Sequence, residues 1–379
     1  MEADVEGFLY PNADKKLCAG CGLCEKSCPC VSTEPEKHFP QKAFIAQHTD
    51  NTILHESTSG GAFTAIAQRI LAEGGVVFGA VYDRSLHVLH AYAETEDGIS
   101  AFRNSKYAQS DLNNAFSMVR KFIESDRRVC FSGTPCQIEG LLKFLGGACP
   151  GLVTVDVVCH AVPSPLVFEK YISYMSEKHG ALIKDVKFRD KNPYGYKYSQ
   201  MAHYGKNKEL LYYSGVETDI MLRAFFSNIC DRPICYACKF KKRYRVSDFT
   251  IWDCPDPGLY DKSFDNDAGV SKVLLHTTKA RELFSETMNL RKKEISVDAV
   301  CDSDKLMTQS VRENALRRRF LKDLSVRSAR EVFEKYFPDS VKVKMERGIR
   351  KTCLILGVYK PMLKSFKRVG KIVKRMTAT

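Results

Sequence analysis

A chain of 379 residues exceeds the size at which one core usually stops growing, and 44% hydrophobic with 27% charged residues is an ordinary globular composition, which excludes a disordered or fibrous protein. No apolar run approaches the ~20 residues that cross a bilayer, and the mixed, acidic start from Met1 to Asp14 is unlike a secretory signal, so a cytoplasmic protein is expected. The net charge of +13 sits largely in Lys342 to Lys374, which leaves a balanced body and argues against nucleic acid as a partner.

Residues 1–40 read as a small cysteine-rich module, closed by the polar, proline-punctuated stretch from Val31 to Pro40. Fifteen cysteines, an odd number grouped in C-x-x-C units, suit metal binding in a reducing compartment better than a disulfide framework. Cys18, Cys21, Cys24 and Cys28, followed by Pro29, have the spacing of a bacterial ferredoxin run, which wraps a 4Fe–4S cluster while Gly20 and Gly22 allow the tight turns. In two-cluster ferredoxins the fourth cysteine of a run ligates the other cluster; with one run here, Cys28 either closes this cluster or serves another. Cys30 reads as a packed thiol.

From Ser57 onward helices and strands alternate. Ser57-Thr-Ser-Gly-Gly61 opens a helix with the apolar face Phe63, Ile66, Ile70 and Leu71, stopped by Gly74-Gly75 and followed by a buried strand over 76–82. A helix over 111–126, a strand over 128–132, the turn Gly133-Thr-Pro-Cys136, a helix around 138–144, a strand over 152–158 and a helix from Pro163-Ser-Pro165 to about His179 come next. Short strand-like runs between Lys184 and Tyr213 make the sheet mixed in that region. Helices at 218–227, 279–290 and 310–321 and strands at 249–252 and 273–276 complete the pattern, with no internal repeat. The expected fold is α/β, a mixed sheet with flanking helices, preceded by a small ferredoxin-like 4Fe–4S module.

Three further segments carry chemistry. Cys230-x4-Cys235-x2-Cys238 lies among Arg232, Lys239, Lys241, Lys242, Arg243 and Arg245, cations that offset an anionic thiolate site; a fourth ligand is needed, and Cys136, Cys159 and Cys254 are candidates, with zinc and plain buried thiols still open. Gly133-Thr-Pro-Cys-Gln137 sets a cysteine at a helix N-terminus, open as redox nucleophile, cluster ligand or turn residue. Ser57 to Ala62 resembles an anion cradle, although no dinucleotide or NTPase loop motif accompanies it. Cys159-His160 suggests acid–base or metal work, with a structural histidine the simpler reading.

The segments Ser57–Gly61, Phe102–Tyr107, Ser132–Gln137, Asp156–His160 with Val162–Ser164, and Cys230–Cys238 followed by Ser247–Ile251, in that order, resemble the bacterial branch of the coenzyme F420 hydrogenase/dehydrogenase beta-subunit family. Ala161 and Trp252-Asp-Cys-Pro255 depart from its pattern. The resemblance implies a flavin, usually FAD, and one or two 4Fe–4S clusters, with electrons exchanged with a donor or acceptor protein or a small hydride carrier. It would carry flavin contacts to Ser59, Gly60, Gly61, Lys106, Tyr107, Gly133, Thr134, Pro135 and Cys136, and cluster ligation to Cys230, Cys235 and Cys238, with Cys159 or Cys136 as the fourth. The implied function is an iron–sulfur flavoprotein oxidoreductase, with domains at 1–40 and 50–300 and a helical, basic tail over 301–379. A flavin-free electron-transfer subunit and a zinc-stabilised interaction protein are the rivals, and the tail's apolar residues among cations are compatible with contact at a membrane surface.

Overall fold

Val129-Cys-Phe and Leu152-Val-Thr-Val are buried on both faces, the state of strands in a parallel sheet covered by helices on either side. The computed structural model describes residues 1–31, 36–192 and 194–358, apart from the side chains of Lys342 and Leu354. Its strands are β1 (Glu2–Ala3), β2 (Leu9–Tyr10), β3 (Lys42–His48), β4 (Val76–Tyr82), β5 (Val88–Ala93), β6 (Val129–Gly133), β7 (Leu152–Val157), β8 (Asp185–Asp190), β9 (Gln200–Tyr204), β10 (Leu210–Ser214), β11 (Phe249–Asp253), β12 (Ser271–Leu275) and β13 (Leu290–Ile295).

Eight strands form one mixed sheet in the order β13-β3-β12-β11-β7-β6-β4-β5. Its centre, β11-β7-β6-β4, is parallel, and the strands on either side add antiparallel. Period-two alternation divides the core. Val77, Cys130, Val153 and Val155 face the helices Ala62–Leu71 and Thr278–Glu286, while Val76, Phe78, Val129, Phe131 and Leu152 face Ala115–Glu124 and Pro135–Leu145.

The sheet is mixed as expected, but β8, β9 and β10 are not part of it: they form a separate antiparallel sheet. That sheet shares a core with the helices Pro165–His179, Ile220–Phe226, Arg317–Val326 and Ala329–Tyr336. The helix expected from 111 starts at Ala115, because Asp111 is drawn into a bridge with Leu89 on β5. The one expected over 279–290 ends at Glu286, and β13 takes up the chain at Leu290.

The N-terminal hairpin is pinned to distant parts of the chain. Phe8 is fully buried, Leu9 exchanges hydrogen bonds with the Gln109 side chain at 2.8 and 3.0 Å, and Arg317 Nη1 donates to Glu6 Oε1 at 3.0 Å. The last described helix is Val341–Ile355, and residues 359–379 lie outside the description.

Candidate functional site

The carboxyl ends of parallel strands are where an open α/β sheet forms its crevice. Here Ala80 of β4, Ser132 and Gly133 of β6, Val155 and Val157 of β7 and Ile251 to Asp253 of β11 line a cavity of about 480 Å³. That volume lies within the ~300–1,000 Å³ range of ligand pockets.

One wall is the loop before the helix Ala62–Leu71. Gly60 is wedged between two strands: a Cβ there would lie 2.3 Å from the Ala46 carbonyl oxygen and 2.4 Å from the Ser271 nitrogen. Gly61 follows with φ +75°, a left-handed conformation that favours glycine, and forms the helix N-cap. Ser59 Oγ donates to Val270 O at 2.6 Å, and Lys191, almost wholly buried, donates to the carbonyls of Leu54, Ser59 and Ala268 at 2.6, 2.7 and 2.7 Å. Burial pushes the Lys191 pKa down to about 7, while the three carbonyls use all three ammonium protons. Since both obstacles to Gly60→Ala are backbone atoms, that variant is expected to lose about 3 kcal/mol of stability, read as a lower urea midpoint.

The opposite walls are cationic and aromatic. Arg103 pairs with Glu56, Arg189 Nη1 pairs with Asp253 Oδ2 at 2.8 Å, and Lys106 donates to the carbonyls of Arg103 and Asn104 at 3.0 and 3.3 Å while sitting over the Tyr82 ring. Burial draws the Lys106 pKa down to about 8. His90 Nε2 lies 3.0 Å from the Ser132 carbonyl, which can only accept, so Nε2 carries the proton and Nδ1 is a bare acceptor; burial lowers this histidine's pKa to about 4 and keeps it neutral. Arg103 Nε, Trp252 Nε1 and His90 Nδ1 are buried without a hydrogen-bond partner among the described residues, and all three residues line the cavity. Unpaired buried donors and an acceptor are costly, and they fit a polar occupant.

Of the nine residues expected to contact a flavin, Ser59, Gly61, Lys106, Tyr107, Gly133 and Thr134 line the cavity. Gly60 lies beneath the loop, Pro135 is buried at the start of its helix, and Cys136 turns away, its Sγ 3.1 Å from Thr134 Oγ1. Tyr107 lines the cavity and stacks on Phe225, with centroids 4.5 Å apart. His90, Arg189 and Lys191 carry no signal of their own in the sequence. Their roles rest on partners far away in the chain, as in Arg189 with Asp253, and no local spacing signals such pairs.

Behind the cavity wall lies a group of thiols. Cys136, Cys159, Cys235 and Cys238 come close enough for every pair among the four to interact electrostatically. Burial, reinforced by these neighbours, pushes Cys159 well above its ordinary value and Cys235 up to about 12. Lys241 stands beside them, donating to the carbonyls of Cys159 and Leu306 at 2.6 and 3.1 Å. Among the described residues no three Cys, His, Asp or Glu side chains are drawn together tightly enough to hold a single metal ion. Cys159 also lines the cavity, so the two features share a wall.

The structure does not bring Cys230 into this group. Its thiol is buried in the core beneath the second sheet, beside Asp231 and Arg317, and its carbonyl accepts from Ser164 N at 2.9 Å. Asp231 pairs with Pro163 in an isolated bridge, which turns the chain between Cys230 and Cys235. Cys254 is likewise apart, buried with Ile45, Phe264 and Val270. His160 donates to Asn228 Oδ1 at 2.8 Å and packs on Phe225.

In the N-terminal run Gly20 and Gly22 take φ +66° and +67°, and Cys18, Cys21 and Cys24 are exposed. Cys28 and Cys30 are half-buried where Pro29 rests near Gly140 on the helix Pro135–Leu145. Burial, then the nearby thiols Cys28 and Cys136, raise the Cys30 pKa to about 11. The two cysteine groups are therefore adjacent, with Cys28, Cys30 and Cys136 along their border.

Two family profiles match the chain, both of the beta subunit of coenzyme F420 hydrogenase/dehydrogenase: the N-terminal part of that subunit over residues 43–117, and its C-terminal part over residues 126–300. No curated protein matches it. Among solved structures, a chain of the F420-reducing NiFe hydrogenase complex from Methanosarcina barkeri is similar at 18% identity and a TM-score of 0.45, with 82% of this chain and 97% of that chain covered.

Proposed function

The chain belongs to the coenzyme F420 hydrogenase/dehydrogenase beta-subunit family, and from that premise we propose that it is an iron–sulfur flavoprotein oxidoreductase of the cytoplasm. The observation that carries this reading is the position of Cys159, which lines the 480 Å³ cavity on one side and belongs to the four-thiol group on the other. A cofactor in the cavity and a cluster on the thiols would be neighbours through a single residue.

Cys136, Cys159, Cys235 and Cys238 would hold one 4Fe–4S cluster, whose cube spaces its ligands more widely than a single ion does. Lys241 and Arg232 supply positive charge against the thiolates. The Ser59–Gly61 loop and the Arg103, Lys106 and Arg189 cations would take the phosphates of a flavin such as FAD, and Trp252 Nε1 and His90 Nδ1 offer a donor and an acceptor to a polar ring system. Val155, Ile251 and Phe225 would give that ring an apolar wall. Bound there, a flavin would supply the exchange between paired and single electrons that hydride chemistry and clusters require of each other. Cys18, Cys21, Cys24 and Cys28 would carry a second cluster, exposed where a donor or acceptor protein can reach it.

Anaerobic purification tests this, with iron, sulfide, zinc and flavin measured together and a spectrum taken before and after dithionite. Iron and sulfide in equal amounts with bound flavin, and a broad visible band that bleaches, are expected. Iron without flavin would leave a flavin-free electron-transfer subunit; zinc alone would overturn both readings.

A further inference from the structure

The +13 charge of the chain is distributed very unevenly. Residues 341–379 contain twelve lysines and arginines and one carboxylate, Glu346, so this segment carries +11 and the remaining residues are close to neutral. Charge of one sign concentrated at one end is an electrostatic address for an anionic partner.

Its described part, the helix Val341–Ile355, has two unlike faces. The inner face is fixed to the body: Val343 is buried, and Arg350 Nε pairs with Glu217 Oε1 at 2.8 Å. The outer face carries Val341, Met345, Ile349 and Ile355, exposed at 73%, 60%, 50% and 70%. At about 100° of turn per residue these four side chains fall within roughly 120° of arc, one stripe along the helix. Lys344, Arg347 and Lys351 are exposed on the same helix. An apolar stripe beside lysine and arginine is the pattern of a helix lying in the headgroup plane of a membrane. Among the described residues no helix is long and apolar enough to cross one.

We propose that the helix Val341–Ile355 is a membrane-surface anchor, which seats Val341, Met345, Ile349 and Ile355 among acyl chains while Lys344 and Lys351 meet anionic lipid headgroups. Lipid suits both features of the surface, since anionic headgroups answer the cations and acyl chains answer the stripe. The inference goes beyond the proposed redox chemistry and does not depend on it.

The test is co-sedimentation of the full-length chain with vesicles of phosphatidylcholine alone and of phosphatidylcholine with phosphatidylglycerol in equal parts. Binding is expected to the anionic vesicles only, and to weaken as salt shortens the screening length from about 10 Å at 0.1 M to about 3 Å at 1 M. Lys344→Ala with Lys351→Ala is expected to weaken binding about 25-fold, roughly fivefold per cation. Met345→Asp with Ile349→Asp is expected to abolish it; all four positions are exposed, so folding is retained, as an unchanged circular dichroism spectrum checks. A chain that ignores anionic vesicles, binds neutral ones equally well, or binds as before with Asp at 345 and 349 overturns the proposal. So does a dimer that those aspartates dissolve in a chain that binds no lipid, since a second copy would then cover the stripe.

Discussion

Exchange of Cys159 for alanine is expected to remove one of two clusters, halving the iron and the bleachable visible absorption, while the same exchange at Cys230 leaves both unchanged. The contrast follows from where the two thiols lie. Cys159 interacts with Cys136, Cys235 and Cys238 and forms part of the cavity wall, so on the proposed ligand set its loss would take a ligand and also open the partition to whatever occupies the cavity. Cys230 lies in the apolar core with Phe168, Met221 and Ile229, where loss of its sulfur costs about 1 kcal/mol of burial and touches no cluster. Iron and sulfide assays on the two variants, with flavin measured alongside, separate the outcomes. Iron retained by Cys159→Ala and lost by Cys230→Ala would restore the ligand set expected from spacing alone.

The largest stability loss is expected for Arg245→Met. Arg245 Nη1 meets Asp156 Oδ1 at 3.0 Å with both side chains almost wholly buried, and the same guanidinium donates to the carbonyls of Val157 and Lys242 at 2.9 Å each. Asp156 also accepts from Ser247 Oγ at 2.9 Å. These bonds tie the segment after Cys238 to the end of β7, two residues before Cys159. Removing the cation strands a buried carboxylate, whose pKa burial already raises, at a cost of about 3–5 kcal/mol. The urea midpoint is expected to fall accordingly. Adding Asp156→Asn to the variant is expected to recover much of the loss, because no uncompensated charge is then left inside. Equal losses in the single and double variants would show that the packing of Arg245, rather than its charge, holds the segment.

How much of this was legible in the sequence depended on how local each signal is. The parallel strands announce themselves as apolar runs such as Val76-Val-Phe and Leu152-Val-Thr-Val, and the ferredoxin-like spacing from Cys18 to Cys28 is complete within eleven residues. β3, β5 and β13 escaped. β13 reads Leu-Arg-Lys-Lys-Glu-Ile because it is an edge, where charges protect the strand from pairing with other chains. β5 is the other edge, and the histidine within it blurs the alternation. β3 lies inside the sheet, but its Gln47 and His48 are buried through long-range partners, Gly269 and Gln68, that no window of sequence reveals.

The choice between Cys136 and Cys159 could not be made from spacing, and the fold shows why. β6 and β7 are parallel neighbours, so residues just past their ends emerge side by side, and both thiols reach the same place. At Cys230 the C-x4-C-x2-C spacing suggests a common wrap, whereas the structure seats that thiol in the apolar core, next to the bridge of Asp231 to Pro163.

The pairing of Glu6 with Arg317 sets an order of events during synthesis. The two residues stand 311 positions apart. At the ~5–20 residues per second of translation, about 15–60 s separate their emergence. For that interval the arm bearing Cys18, Cys21, Cys24 and Cys28 lacks its most distant clasp, and Gln109, Ser164 and Arg232, which also grip Glu6 and Leu9, arrive one after another. The N-terminal hairpin is thus the first part made and gains its last clasp only once Arg317 has been translated.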